Sequence, residues 1–319
     1  MRESGIVALG GPDDEIAIGL ARAFEAHGLR VHRLYEDAEW PCALDLVLFY
    51  GPFRPIGHLI RRLESLNPRP AAVLWNTEGL PDPRLPLPIV KLLAWIQCLP
   101  VMGRIIHARR IAIVGEMLAI QRAAPRSLHA GITPNRHAYF ERLGVRSVYV
   151  PFGYIDAFGH PMGLARDIDV IFLGSTRDRR RAPLIAALER EFTRRGITFV
   201  IKDGSESRGH VYGEQRAHIL NRARIMLNLM RCPWDDAYFR LLLAAPNGAM
   251  VLSEPTPVNE PFQVGEHIVC APLDQIADRV AYYLAHEAER ARIAESAYQY
   301  VINNLSMPQM VGQLLNGLD

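Results

Sequence analysis

The residues Gly174-Ser175-Thr176-Arg177 have the make-up of an anion-binding turn. A glycine lets a ligand approach the backbone, two hydroxyls can meet phosphate oxygens, and an arginine offers a two-pronged donor. The four follow an apolar run at 170–173, so they fall at the carboxyl end of a predicted strand. Arg179, Arg180 and Arg181 come next, at the entrance of a helix; Arg177 is the preferred ligand because it lies in the loop. Lys202, one of two lysines beside Lys91, ends another predicted strand and is a candidate for contact with phosphate or base. Arg240 belongs to a predicted helix at 237–245 that is entered through Asp235-Asp236. Either acid can cap that helix, and Asp236 stands at ion-pairing spacing from Arg240. The functional alternative aims Arg240 and the free N–H groups of the first turn at a diphosphate, with Asp236 beside them. Glu254 leaves the following strand, 249–253, toward the same edge.

A second set lies in the first half. Trp75-Asn76-Thr77-Glu78-Gly79 leaves a buried strand. There Glu78 is placed to act as a general base toward a hydroxyl, or to bind a polar ring with Trp75 as the stacking face. His129 is the other catalytic candidate, on the premise that it reaches the same cleft. No metal site is expected. Asp167-Ile168-Asp169 has the spacing of a metal motif but opens a strand, at the wrong edge for a ligand. Cys42, Cys98, Cys232 and Cys270 are far apart and form no CxxC pair, which argues against zinc and for reduced thiols in the cytoplasm.

These residues need a scaffold, and the hydrophobic pattern supplies one. Apolar runs alternate with amphipathic stretches from 6–9 through 30–35, 44–50, 56–66 and 71–75, the signature of a parallel sheet covered on both faces. Strand 225–229, the helix 237–245 and strand 249–253 form a βαβ unit, whose ligands sit beyond the carboxyl ends of its strands. Gly10-Gly11 invites a dinucleotide reading, but the loop lacks GxGxxG and carries Asp13, Asp14 and Glu15, which would repel a pyrophosphate. An acceptor-side turn suits it better. Pro151, Gly153 and Gly159 mark a linker at 151–168 between an N-terminal domain, 1–150, and a C-terminal one, 169–319, whose last helix is free to pack back on the first.

Composition narrows the field. The 319 residues are 49% hydrophobic and 22% charged with a net charge of +2, too weak for a nucleic-acid partner. Residues 1–155 carry 18 basic and 14 acidic side chains and the remainder 18 and 20, so the first half is mildly basic, as suits an acidic or membrane-bound acceptor. The start, Met1-Arg2-Glu3-Ser4-Gly5, enters a strand without a signal-peptide core. The apolar stretch 85–106 is broken by Lys91, Arg104 and three prolines, so it does not read as a membrane span. A core-facing helix at 89–99 is preferred. The alternative is a helix resting on a membrane surface through Trp95, at the inner face of the membrane, in keeping with Arg104, Arg109 and Arg110.

The block from Arg224 to Tyr300 resembles the C-terminal half of group 1 glycosyltransferases, closest to the spore-maturation-like (CgeB-like) branch. The matching elements are Arg240, Gly248, Val251-Leu252-Ser253, Glu254-Pro255, the turn Gly265-Glu266-His267-Ile268-Val269 and Tyr282-Tyr283-Leu284. Upstream, Val150-Pro151-Phe152-Gly153-Tyr154, Asp169–Ser175 and Tyr212-Gly213-Glu214 also fit. The resemblance implies the GT-B architecture, α/β with two Rossmann-like domains facing a cleft. It further implies sugar transfer from a nucleotide-sugar substrate, without metal or other cofactor, to a protein, glycan or lipid-linked acceptor. The donor would be held by Gly174, Ser175, Thr176, Arg177, Lys202, Asp236, Arg240 and Glu254. One departure stands out: the family places a ribose-binding Glu three residues after the Arg, where this chain has Leu243, so Glu254 or Asp235 would have to supply the carboxylate. Two other readings remain open, a non-catalytic binding module and a sugar-nucleotide epimerase.

Overall fold

The computed structural model describes residues 2–51, 54–97 and 109–318. The chain forms two compact units, Met1–Gly153 with Met307–Asp319, and Tyr154–Ser306.

The first unit is a six-stranded sheet of β1 (Glu3–Val7), β2 (Arg30–Leu34), β3 (Leu46–Gly51), β4 (Ala71–Asn76), β5 (Ser127–Gly131) and β6 (Ser147–Tyr149). The order is β2-β1-β3-β4-β5-β6 and every pairing is parallel. Around it lie α1 (Glu15–Ala26), α2 (Gly57–Ser65), α3 (Leu87–Gln97), α4 (Arg109–Ala123), α5 (Pro134–Leu143) and, from the end of the chain, α11 (Met307–Asn316). The strand β3 is buried at every residue, which is why it reads as a continuous apolar run; β5 is equally buried although it carries Ser127 and His129. Phe49, Leu74, Ile113, Met117 and Phe140 anchor the core.

The second unit holds β7 (Ile168–Leu173), β8 (Phe199–Lys202), β9 (Ala223–Asn228), β10 (Met250–Ser253) and β11 (Val269–Cys270), all parallel in the order β11-β10-β9-β7-β8. Its helices are α6 (Arg181–Arg194), α7 (Gly213–Arg222), α8 (Tyr238–Ala244), α9 (Ile276–Ala285) and α10 (Glu287–Asn304). Phe172, Phe192, Ile225, Leu252 and Ile276 lie in its core. Parallel pairing sends every carboxyl end to one edge, and it is the residues at that edge that can be brought together.

Two features depart from the sequence reading. The helix expected at 89–99 forms as α3, but as far as it is described it buries only Val90 and Ala94, so a core helix describes one of its faces. Ile89, Leu92 and Trp95 are 48%, 54% and 59% exposed. The irregular segment 151–168, expected as a linker, belongs to the second unit from Tyr154 onward and is pinned there. Asn247, fully buried, donates to the carbonyls of Phe158 and Leu243, each at 2.8 Å, and accepts from Asn221 at 2.7 Å. Gly159 adopts φ +124°, and a Cβ there would lie 2.1 Å from Asn247 Oδ1, so no larger residue fits without displacing the knot.

Replacing Asn247 with leucine would take the donor away from the Phe158 and Leu243 carbonyls and leave Asn221 with only His160 and Ala217 as acceptors. Asn247→Leu is expected to cost about 2–4 kcal/mol, read as a lower urea midpoint at unchanged m.

Candidate functional site: a cationic edge on the second sheet

β7 ends in Phe172-Leu173, and the chain then turns at Gly174, whose φ of +132° favours glycine. Asp178 follows and caps α6: its Oδ1 accepts the N–H groups of Arg180 at 2.9 Å and Arg181 at 3.3 Å. That cap fixes two arginines in different settings. Arg180 donates to the Met230 carbonyl at 2.8 Å and makes a two-pronged ion pair with Glu254. Arg181 is 3% exposed, with its guanidinium carbon 5.7 Å from the centroid of the Phe172 ring. Its Nε and Nη1 have no hydrogen-bond partner.

Arg240 comes to the same ring from α8, 5.4 Å from the Phe172 centroid. Its Nη1 donates to Asn228 Oδ1 at 2.8 Å and its Nη2 to the Leu173 carbonyl at 3.2 Å, while its buried Nε has no partner. Asn228 in turn donates to Ser253 Oγ at 2.8 Å. The carboxyl ends of β7, β9 and β10 are thus tied together under one guanidinium. A Cβ at Gly174 would stand 3.0 Å from Arg240 Nη2, so the turn and the arginine are in close approach.

Electrostatics set this edge apart. Burial, then Arg231, pushes Arg181 down to about 10. Burial, then Arg181 and Arg231, pushes Arg240 down to about 9, against the opposing pull of Asp235 and Asp236. Guanidinium stays charged at neutral pH, so the depression reflects first the burial of these cations, which Asp178, Asp235, Asp236 and Glu254 offset only in part. Buried N–H groups that carry charge and meet no acceptor suit a ligand with several anionic oxygens.

The other expected donor residues are distributed around this pair. Lys202 is joined to Gly174 through its carbonyl, which accepts the Gly174 N–H at 2.9 Å. Thr176 donates its hydroxyl to Asp203 at 2.6 Å, and Ser175 Oγ accepts the Arg177 N–H at 3.3 Å, so both hydroxyls help shape the loop. Hydrogen bonds from Ser205, Thr176 and Arg208 overcome burial and hold Asp203 below the usual carboxylate range. Arg177 is exposed; the buried arginine is Arg181, which sequence reasoning placed on the helix flank. Nothing in a run of three arginines signals which one turns inward. Asp236 accepts the Tyr238 N–H at 3.2 Å and so caps α8.

Glu254 does not fit the role of free ribose acceptor. It is 3% exposed, and its Oε1 already accepts from Arg180 at 2.7 Å and from the Met230 N–H at 2.6 Å, while Oε2 takes the second Arg180 prong. Asp167 pairs with Arg222 and Asp169 with Arg224, as a strand opening would have them. Among the described residues no cluster of three His, Cys, Asp or Glu could hold a metal ion.

In the first unit, Trp75 is fully buried, donates to the Val150 carbonyl at 3.0 Å and packs 4.9 Å from Phe152, so it offers no stacking face. Glu78 is half-buried on a loop clamped from both ends. Arg136 donates to Asn76 Oδ1 at 3.0 Å and to the Glu78 carbonyl, and Arg110 to the Leu80 carbonyl at 2.9 Å. His129 lies on β5 with no exposed surface and no partner for either ring nitrogen, and burial pushes it down to about 3. A proton carrier needs access to substrate; His129 is a neutral core residue instead. The Gly10 turn is filled by its own acid, since Asp14 accepts from the backbone of Gly10, Ile16 and Ala17 and from Tyr50.

Two parallel α/β units, the second with a cationic cluster where its strands end, define a protein of GT-B architecture. Residues 177–316, which include Arg181 and Arg240, match a family described as "Glycosyl transferase-like". No curated protein matches the chain. Among solved structures, Anabaena HepE in complex with UDP and glucose is similar at a TM-score of 0.63 and 11% identity, covering 100% of this chain and 99% of that one. An alpha-glucosyltransferase in complex with UDP and a mismatched 13-mer DNA is similar at a TM-score of 0.63 and 9% identity, with the same coverage. TarM, known from S. aureus, gives a TM-score of 0.56 at 10% identity over 86% of this chain, which spans about half (54%) of TarM's length. At these identities the likeness is one of fold. No described helix is long and apolar enough to cross a membrane.

His129 has a measurable consequence. Its pKa is 6.5 when unperturbed and about 3 when folded, so only the unfolded chain takes up its proton on acidification. Its contribution is complete above pH 6.5 and is lost as pH falls, by about 1.4 kcal/mol per unit. His129→Leu is expected to flatten that part of the stability curve between pH 6.5 and 4.5; an unchanged slope would mean the histidine is solvated.

Proposed function

We propose that the chain is a glycosyltransferase that takes its sugar from a nucleoside-diphosphate donor held by the second unit. The observation that carries this reading is the pair Arg181 and Arg240, with unpartnered N–H groups beside the Gly174 turn. The family match spans both arginines, and the HepE and alpha-glucosyltransferase structures were solved with UDP. In the reaction the bond between the anomeric carbon and the β-phosphate oxygen breaks, and the departing diphosphate gains negative charge. Two guanidiniums already fixed by Asn228, Leu173 and Phe172 would meet that charge with little reorganisation. They do so without a divalent ion, the role a metal would otherwise take. Arg177 and Lys202 lie at the same edge, where they would reach the rest of the donor. Glu78 is the proposed base for the acceptor hydroxyl, on a protein, a glycan or a lipid-linked sugar. We place the protein in the spore-maturation-like branch and in the cytoplasm on the sequence grounds given above.

A second reading has its own support. Leu243 stands where the family carries its ribose carboxylate, and Glu254 is engaged by Arg180 and Met230. A scaffold that keeps a diphosphate site but lacks the ribose ligand would bind without transferring.

Calorimetry with UDP, GDP, ADP and TDP in EDTA tests the site. Binding without metal is expected; binding that appears only with magnesium or manganese would overturn the metal-free reading. Arg181→Met should weaken diphosphate binding by about 1.5–3 kcal/mol. The same change removes a buried charge that its neighbouring acids offset only in part, so stability without nucleotide should hold or rise by about 1–3 kcal/mol. Unchanged affinity would reduce Arg181 to a packing residue. If nucleotides bind but no sugar nucleotide is turned over, and Leu243→Glu tightens binding, the binding-module reading stands.

A further inference from the structure

α3 is apolar on two opposite faces, and the fold uses one of them. Val90 and Ala94 face the core, with Leu87 packed at its margin. Leu85, Ile89, Leu92 and Trp95 recur at spacings of three and four residues and are 37%, 48%, 54% and 59% exposed. A helix that is hydrophobic all round is ordinarily buried all round. These four are half of the eight exposed large hydrophobic side chains among the described residues, so the uncovered surface is concentrated on one helix face.

Charge identifies what covers it. Lys91 is exposed on the same helix, next to Leu92. The stretch 83–126, which builds α3 and the helix α4 packed against it, includes six basic side chains among its described residues: Arg84, Lys91, Arg109, Arg110, Arg122 and Arg126. Its single acid, Glu116, is buried and paired with Arg109 at 2.9 Å. Arg84 is neutralised by Asp82, which leaves the excess positive still. Exposed leucine, isoleucine and tryptophan beside an exposed lysine, in a segment whose sequence is rich in arginine and poor in acids, are the attributes of a segment that lies in the headgroup layer of an anionic bilayer.

We infer that α3 docks the first unit on a membrane surface rich in anionic phospholipid, with Ile89, Leu92 and Trp95 inserted and Lys91 at headgroup level. A protein partner or a second copy would cover the apolar face equally well but would leave the basic excess of 83–126 unexplained.

The test is flotation of the full-length protein with vesicles of phosphatidylcholine alone and with 30% phosphatidylglycerol. Binding is expected only to the anionic vesicles, and it should weaken with added salt. Lys91→Gln should reduce partitioning about fivefold, and Leu92→Ser or Trp95→Ala on the order of tenfold. All three side chains are solvent-exposed, so melting temperature should not move, which separates lost docking from lost folding. Equal binding by wild type and variants, or no binding to either vesicle, overturns the inference. So does self-association that Leu92→Ser abolishes in the absence of vesicles, which would assign the face to a second copy.

Discussion

Arg181 holds a charged guanidinium inside the second unit with two of its nitrogens facing no acceptor. Burying a cation is costly when the acids near it, here Asp178, Asp235 and Glu254, offset only part of the loss of water. Much around it makes the arrangement sustainable. Asp178 caps α6 and so sets the direction of its first residues, Phe172 presents a ring face, and Gly174 keeps the turn free of a side chain. Arg180, one residue earlier, is neutralised by Glu254. The unit therefore keeps its positive charge at one place and quenches it next door. Such a division is what a site for a polyanion requires, because charge shared evenly along the edge would be solvated and weak.

Much of this scaffold was legible in the residues. The βαβ block of β9, α8 and β10 lies within a few residues of its expected limits, because continuous apolar runs end at Gly248 and at the Asp235-Asp236 pair. Arg240 and the Gly174 turn were both singled out, and they do approach each other. The signal there was positional: parallel strands bring their carboxyl ends to one edge whatever their side chains.

Side-chain direction was not legible. Arg177, Arg180 and Arg181 look alike on paper, and only the registry of α6 after its cap decides that the last turns inward. Trp75 and His129 lie on strands buried on both faces, where alternation carries no information about which residues reach solvent. Glu254 was expected to serve a ligand because it leaves a strand at the right edge. Its partner lies 74 residues away, on the far side of three strands in the chain, and no local pattern betrays such a pair. The core-facing reading of α3 holds for the face of Val90 and Ala94 and not for the opposite one: hydrophobicity tells that a helix seeks cover, not whether its own fold provides it on every side.

The way the two units are threaded has a consequence for how this chain is made. Tyr154 donates its N–H to the Leu305 carbonyl at 2.6 Å and bridges Ser306, so the second unit begins and ends at one spot. Gly153 and Met307, its neighbours on the other unit, are just as close, since a Cβ on Gly153 would lie 2.4 Å from the Met307 Cα. α11 then packs on α1, where His27 meets the Pro308 carbonyl at 2.7 Å. On the ribosome, α1 emerges before the second unit and its cover only after it. The inserted unit is complete while its host still lacks a wall. Nascent chains therefore carry an open apolar flank on α1 throughout the synthesis of the insert, and the speed of that synthesis sets how long the flank is open to chaperones or to aggregation.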